Sequence, residues 1–205
     1  PSRKEESVEI PGLTVRGTFS VTLDVPGVGS EYCYFGTIPT FERKAGKRTP
    51  FGVTNIYDED FAEIAGELGF SFTRLFTSWK ELQPSPKEWK LDGLDKTIAM
   101  NDRNGLKPWI CLYNPPAWAL PEGMWSAGFE PSPFSLKAWG AAVEKLARQY
   151  DGKMMGFEML NEIVPGNKCK DPVKEYVDIC RVGHEAAKKV NPKNVIQLAG
   201  GLWPH

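Results

Sequence analysis

Asn161 and Glu162 close the hexapeptide Phe157-Glu158-Met159-Leu160-Asn161-Glu162, an apolar-rich run that reads as a buried strand. A side-chain amide followed by a carboxylate, where a strand runs out into a loop, suits chemistry at the anomeric carbon of a sugar. The amide can hold a hydroxyl beside the reacting carbon while the acid protonates a departing oxygen. A lone Glu in such a place is ordinarily an exposed loop carboxylate; the neighbouring Asn161 turns the reading of Glu162 toward acid/base catalysis. Alternation with period two puts Glu158, Leu160 and Glu162 on one face, the two carboxylates roughly 13 Å apart along the strand. Glu162 then stands at the mouth and Glu158 lies deep, where a carboxylate needs a cationic partner. Arg74, inside the otherwise apolar run from Phe70 to Phe76, is the candidate. No second strand-end carboxylate of the catalytic kind is recognisable.

Two further loops carry polar and aromatic groups. One is Ser78-Trp79-Lys80-Glu81-Leu82-Gln83-Pro84, the other Tyr113-Asn114-Pro115-Pro116-Ala117-Trp118. The paired prolines fix the backbone and so hold Tyr113, Asn114 and Trp118 in a defined orientation. Trp79, Tyr113 and Trp118 offer flat faces for sugar rings. For Trp118, packing over the rim of the fold is an equal alternative.

These groups need a scaffold, and its rhythm changes near residue 50. Residues 1–50 hold short alternating runs split by Pro and Gly, the pattern of strands and turns. They read as the tail of an antiparallel β module, or a β cap, ending in the basic linker Arg43 to Arg48. That linker lacks the spacing of a phosphate-binding loop. From residue 51 the pattern is strand, helix, strand, helix. Strands are expected at 51–55, 70–76, 106–113, 153–161 and 195–199. Helices are expected at 58–68, 91–104, 135–150 and from Asp171-Pro172 to about Val190, where an N-cap and a Pro at the first position mark the start. Strands alternating with helices imply parallel βαβ units. No GxGxxG follows the first strand, and the loops after strands hold the residues of interest. Both points favour part of a (β/α)8 TIM barrel, about five βα units over residues 51–205, over a doubly wound dinucleotide fold. Closure takes eight strands, so the expected partner is the remainder of the barrel.

Composition narrows the function further. With 41% hydrophobic and 25% charged residues, the 205-residue chain has the balance of a globular protein. Its net charge of −1 offers no electrostatic footprint for nucleic acid. No run of about 18 apolar residues marks a membrane span. The start at Pro1, without Met or an apolar leader, reads as a processed or excised piece. Four cysteines, Cys33, Cys111, Cys169 and Cys180, form no CxxC motif, and two isolated histidines, His184 and His205, form no ligand cluster. No metal and no organic cofactor are expected.

The ordered set Arg74, Trp79 to Pro84, Gly105-Leu106-Lys107-Pro108, Pro116-Ala117-Trp118 and Phe157 to Glu162 resembles the first half of clan A glycoside hydrolases, over residues 51 to about 203. The β-xylosidase/iduronidase-like and cellulase-like members are the most similar. The resemblance implies a retaining, double-displacement glycosidase of the TIM-barrel type that acts on oligo- or polysaccharides. It makes Glu162 the general acid/base, Asn161 the partner of the substrate 2-hydroxyl, and Arg74 the support of a nucleophile that no residue here supplies. Leu160 stands where the family often has Trp, and Ile163 where Pro commonly follows. A carbohydrate substrate and an extracellular or periplasmic location are the corresponding expectations. The rival readings are a non-catalytic carbohydrate-binding half-barrel or inactive relative, and an unrelated metabolic α/β enzyme in which Asn161-Glu162 is coincidental.

Overall fold

The computed structural model describes residues 17–37, 49–122, 134–162 and 171–199. The chain forms two compact units, residues 1–43 and 44–205. In the first, strand β1 (Gly17–Val25) pairs antiparallel with β2 (Gly29–Thr37), Val25 opposite Gly29. The turn between them places Pro26 and then Gly27 (φ 79°) at its centre, closed by Val28 N–H donating to Val25 O at 3.0 Å. That is the sequence a type II turn needs, with Pro fixing the first φ and Gly accepting the positive one.

The second unit is a five-stranded parallel sheet in the order β3 (Gly52–Thr54), β4 (Phe72–Ser78), β5 (Lys107–Tyr113), β6 (Gly156–Met159), β7 (Val195–Leu198). Spatial order equals chain order, as each crossover passes to the adjacent position. The crossovers carry α1 (Glu59–Glu67), α2 (Trp79–Leu82) with α3 (Asp92–Arg103), α4 (Leu136–Gln149) and α5 (Pro172–Val190). The helix starts follow from side-chain capping: Asp58, Ser135 and Asp171 each accept from backbone N–H groups of the first turn. Five strands with four helical crossovers correspond to the expected partial barrel. The one-turn α2 and a 3-10 turn at Ala117–Ala119 were not anticipated from the sequence.

Alternation along the strands divides the sheet into two environments. Leu75, Ile110, Leu112, Phe157 and Met159 are fully buried, and all but Leu75 pack in one cluster with Ile98, Trp139, Val143, Leu146 and Ile179 of the helices. The opposite face carries Phe72, Arg74, Phe76, Trp109 and Tyr113, all only half-buried. Apolar exposure recurs at the two ends of the row. On α1 and its C-cap, Phe61, Ile64 and Leu68 face solvent at helical spacing; on α5, Val173 and Val177 do, and on β7, Val195 and Leu198. No helix among the described residues is long and apolar enough to cross a membrane.

The fourth strand of the sheet, β6, departs from expectation. It stops at Met159, because Leu160 takes φ 67° and leaves the extended region. The expected alternation through Leu160 to Glu162 therefore does not hold. Asn161 and Glu162 are placed by a turn rather than by the pleat.

Candidate active site

Four non-glycine residues among those described have positive φ: Asn55 (61°), Asn114 (58°), Leu160 (67°) and Glu162 (32°). Asn55, Asn114 and Leu160 each directly follow the last residue of β3, β5 and β6, and Glu162 comes two residues later. Such backbone costs about 1–3 kcal/mol per residue and persists where the surroundings impose it, which is common at functional sites. The strain gathers at the C-terminal ends of the strands, the end at which barrel enzymes build their sites. Ladder-type bonds anchor these bends: Asn55 N–H to Arg74 O at 2.8 Å, Leu160 N–H to Leu112 O at 3.1 Å, and Lys80 N–H to Asn114 O at 3.0 Å.

Arg74 organises the half-buried face. Parallel register sets Phe76, Cys111, Glu158 and Gln197 side by side across β4 to β7, with Arg74 two residues below Phe76. Its guanidinium lies 4.3 Å from the Phe76 ring centroid and reaches across β5. Nε donates to Glu158 Oε2 at 2.5 Å; Nη2 donates to Glu158 Oε1 at 2.9 Å and to Asn161 Oδ1 at 2.8 Å. The pairing of Arg74 with the deep carboxylate, expected from the sequence, is thus bidentate, with the Glu158 side chain only 1% exposed. Cys111 fills the space between, its thiol 3.4 Å from Arg74 Nη2 and 3.6 Å from Leu160 O.

The electrostatics follow from this packing. The Glu158 hydrogen bond holds the Arg74 guanidinium above its ordinary value against the opposing effect of burial. Burial first, and the Glu158 charge second, push the Cys111 thiol up to about 12. Burial raises Tyr57 and Tyr113 as well, and the Glu81 carboxylate adds to the rise of Tyr113. These three groups keep their protons at neutral pH. Glu162 is exposed, one residue beyond the Asn161 amide that Arg74 holds.

The other expected site residues divide. Tyr113 is half-buried, its ring packed edge-on against Phe76 at 5.6 Å, and Asn114 donates Nδ2–H to Ser78 Oγ at 3.3 Å. Both stand at the same strand ends as Asn161 and Glu162. Trp79 does not belong with them. It is fully buried, meets Trp118, Phe134 and Trp139 at centroid distances of 5.7, 5.9 and 5.5 Å, and donates Nε1–H to Gln83 Oε1 at 2.8 Å. The cause is α2, which starts at Trp79 and turns its ring into the core. Trp118 packs as a rim residue, its edge on Trp79 and its Nε1–H donated to Gln83 O at 3.0 Å. Ile163, Cys169 and His205 lie outside the described residues. Among the described residues no group of three or more His, Cys, Asp or Glu could hold a metal ion.

Sequence reasoning missed Tyr57, Phe76, Cys111 and Glu81. Tyr57 donates to Phe76 O at 3.0 Å, so its phenol sits at the end of β4 near Arg74. The available signal was positional: Asn55-Ile56-Tyr57 follows β3 as Asn114-Pro115-Pro116 follows β5.

No protein-family model matches the chain, and no curated protein matches it. Solved structures do. A family 39 glycoside hydrolase from Bacteroides cellulosilyticus superposes with TM-score 0.69 at 21% identity, covering 91% of this chain. The fold is a partial (β/α)8 barrel. An endoglucanase from Pseudomonas stutzeri in complex with cellobiose gives TM-score 0.53 at 19% identity over 68% of the chain. An exo-beta-1,4-mannosidase from an Opitutaceae bacterium gives 0.56 at 18% over 79%. The chain spans 39%, 40% and 33% of these neighbours' lengths respectively. All three neighbours are glycoside hydrolases, and at these identities the likeness establishes the architecture alone.

Proposed function

We propose that this chain carries the acid/base half of a retaining glycosidase site acting on oligo- or polysaccharides outside the cytoplasm, in an extracellular or periplasmic setting. The single observation that carries the reading is Asn161-Glu162 on a strained bend at the end of β6, with the Asn161 amide held by Arg74 and the strand ends of Tyr113 and Asn114 beside it. Glu162 is the exposed member of the pair and is free to reach a glycosidic oxygen. It protonates the leaving group, then deprotonates the water that releases the sugar. Asn161 holds a hydroxyl next to the reacting carbon, and Tyr113 and Asn114 line the approach.

The attacking carboxylate comes from further βα units that complete the barrel. Glu158 cannot serve, since both its oxygens are held by Arg74. The exposed apolar residues of α1, α5 and β7 mark where those units pack. In the completed site the two carboxyl groups stand about 5–5.5 Å apart, the spacing of retaining enzymes. The captive state of Glu158 equally suits the second reading, a carbohydrate-binding half-barrel without catalysis.

Glu162→Gln separates the two. In the barrel-completed protein it should leave sugar affinity within about twofold and reduce turnover of glycosides with poor leaving groups by about 100-fold or more. Unchanged turnover of such substrates would remove Glu162 from the mechanism. The chain alone should hydrolyse no aryl glycoside.

A further inference from the structure

We infer that Glu158 is a positioning residue for ligand recognition, acting through Arg74 on the side-chain amide of Asn161. Arginine carries donors and no acceptor, so the amide atom facing Arg74 Nη2 at 2.8 Å must be Oδ1. The Asn161 NH2 group then points away from Arg74. Asn161 retains only 4% of its surface, and its Nδ2 is not one of the fully buried groups left without a partner. An NH2 that keeps the little exposure of such a residue can donate to whatever binds beside it.

The lock depends on Glu158. Two parallel N–H···O bonds fix the guanidinium plane, and both need acceptor oxygens. A glutamine there offers one acceptor and one donor, and its NH2 opposes an arginine N–H. The guanidinium must then rotate, Nη2 leaves Asn161, and the amide is able to flip.

This sets a rule for the ligand, and the sugar-facing half of the rule rests on the proposed function. The group on the carbon next to the reacting centre must offer a lone pair. A hydroxyl or an acetamido oxygen qualifies. A bare CH2 leaves Nδ2 unsatisfied, and an ammonium opposes it with a second donor. The deep carboxylate therefore selects, at one remove, against 2-deoxy and 2-ammonium sugars.

The test uses the 15N-labelled full chain. In the wild type the Asn161 NH2 should give one sharp pair of resonances, and Arg74 Nε–H a protected, downfield one. Glu158→Gln should shift Arg74 Nε–H and broaden the Asn161 pair, while Glu185→Gln, at an exposed acid of α5, moves neither. Glu158→Asp, which keeps the charge but withdraws the carboxylate by one methylene, should act as Glu158→Gln does and serves if that variant does not fold.

The second readout titrates methyl β-glucoside and its 2-deoxy and 2-ammonium counterparts into the barrel-completed protein. Wild type should favour the 2-hydroxyl over the 2-deoxy sugar by about tenfold, and Glu158→Gln should bring that ratio toward one. A merely structural role for Glu158 weakens all three sugars alike and leaves the ratio standing, which overturns the inference. So does an Asn161 pair that neither variant moves. A locked amide in a barrel-completed protein that binds none of the three sugars supports the positioning role and counts against the proposed function; sugar binding beside a freely flipping amide does the reverse.

Discussion

Arg74→Met gives the sharpest test of how the half-buried face is held. The substitution keeps most of the aliphatic stem and deletes the guanidinium. Glu158, its side chain 1% exposed, loses both hydrogen bonds from Arg74, and Asn161 Oδ1 loses its donor. Breaking a buried pair from one side costs about 3–5 kcal/mol, because the surviving charge stays out of water without its cation. For a unit of this size each kcal/mol lowers Tm by about 2–4 °C, so the expected fall is about 6–20 °C. Arg74→Met/Glu158→Leu removes both charges and should recover more than half of that loss, since desolvation rather than attraction dominates the cost. A deficit of about 1 kcal/mol should remain from the orphaned Asn161 amide. Near-ultraviolet circular dichroism during thermal unfolding reports on the barrel unit, because every Trp lies beyond residue 43. A double variant no more stable than Arg74→Met would refute the account, as would a single substitution costing under about 1 kcal/mol.

Two further outcomes follow from local geometry. The Cys111 thiol, pushed up to about 12 by burial and by Glu158, leaves roughly one thiolate in a thousand at pH 9. Iodoacetamide at that pH should therefore label exposed Cys33 readily and Cys111 only after unfolding, as read by peptide mass spectrometry; equal native rates would contradict the placement of Cys111. Gly156→Ala would put a Cβ 1.8 Å from the backbone oxygen of Val195, so β6 and β7 must part. That should cost about 1–3 kcal/mol and release the amides of residues 195–198 to fast hydrogen exchange, whereas retained protection would show that the strands can shift together.

Much of the architecture was legible in the residues because its determinants are local. Alternation marked the strands, apolar spacing and the Asp171-Pro172 cap placed the helix starts within about a residue, and βα rhythm implied a parallel sheet. The partner of Glu158 could also be named, because a carboxylate in an apolar strand demands a cation and Arg74, inside a neighbouring apolar strand, was the natural candidate. The end of β6 was not legible. Leu160 has no local reason to adopt φ 67°; the bend comes from its hydrogen bond to Leu112 on the neighbouring strand and from burial beneath the rim.

Tertiary packing likewise decided between a wet and a dry Trp79. Its sequence context, a polar loop after a strand, suggested a sugar platform, and three aromatic neighbours drawn from two other segments made it core. The sequence by itself determined which chemical groups exist and which elements carry them. Which of those groups meet was left to the register of β4, β5 and β6, because the contacts that assemble Arg74, Cys111, Glu158 and Asn161 join residues 37 to 87 positions apart. No short-range pattern in the chain encodes such distances.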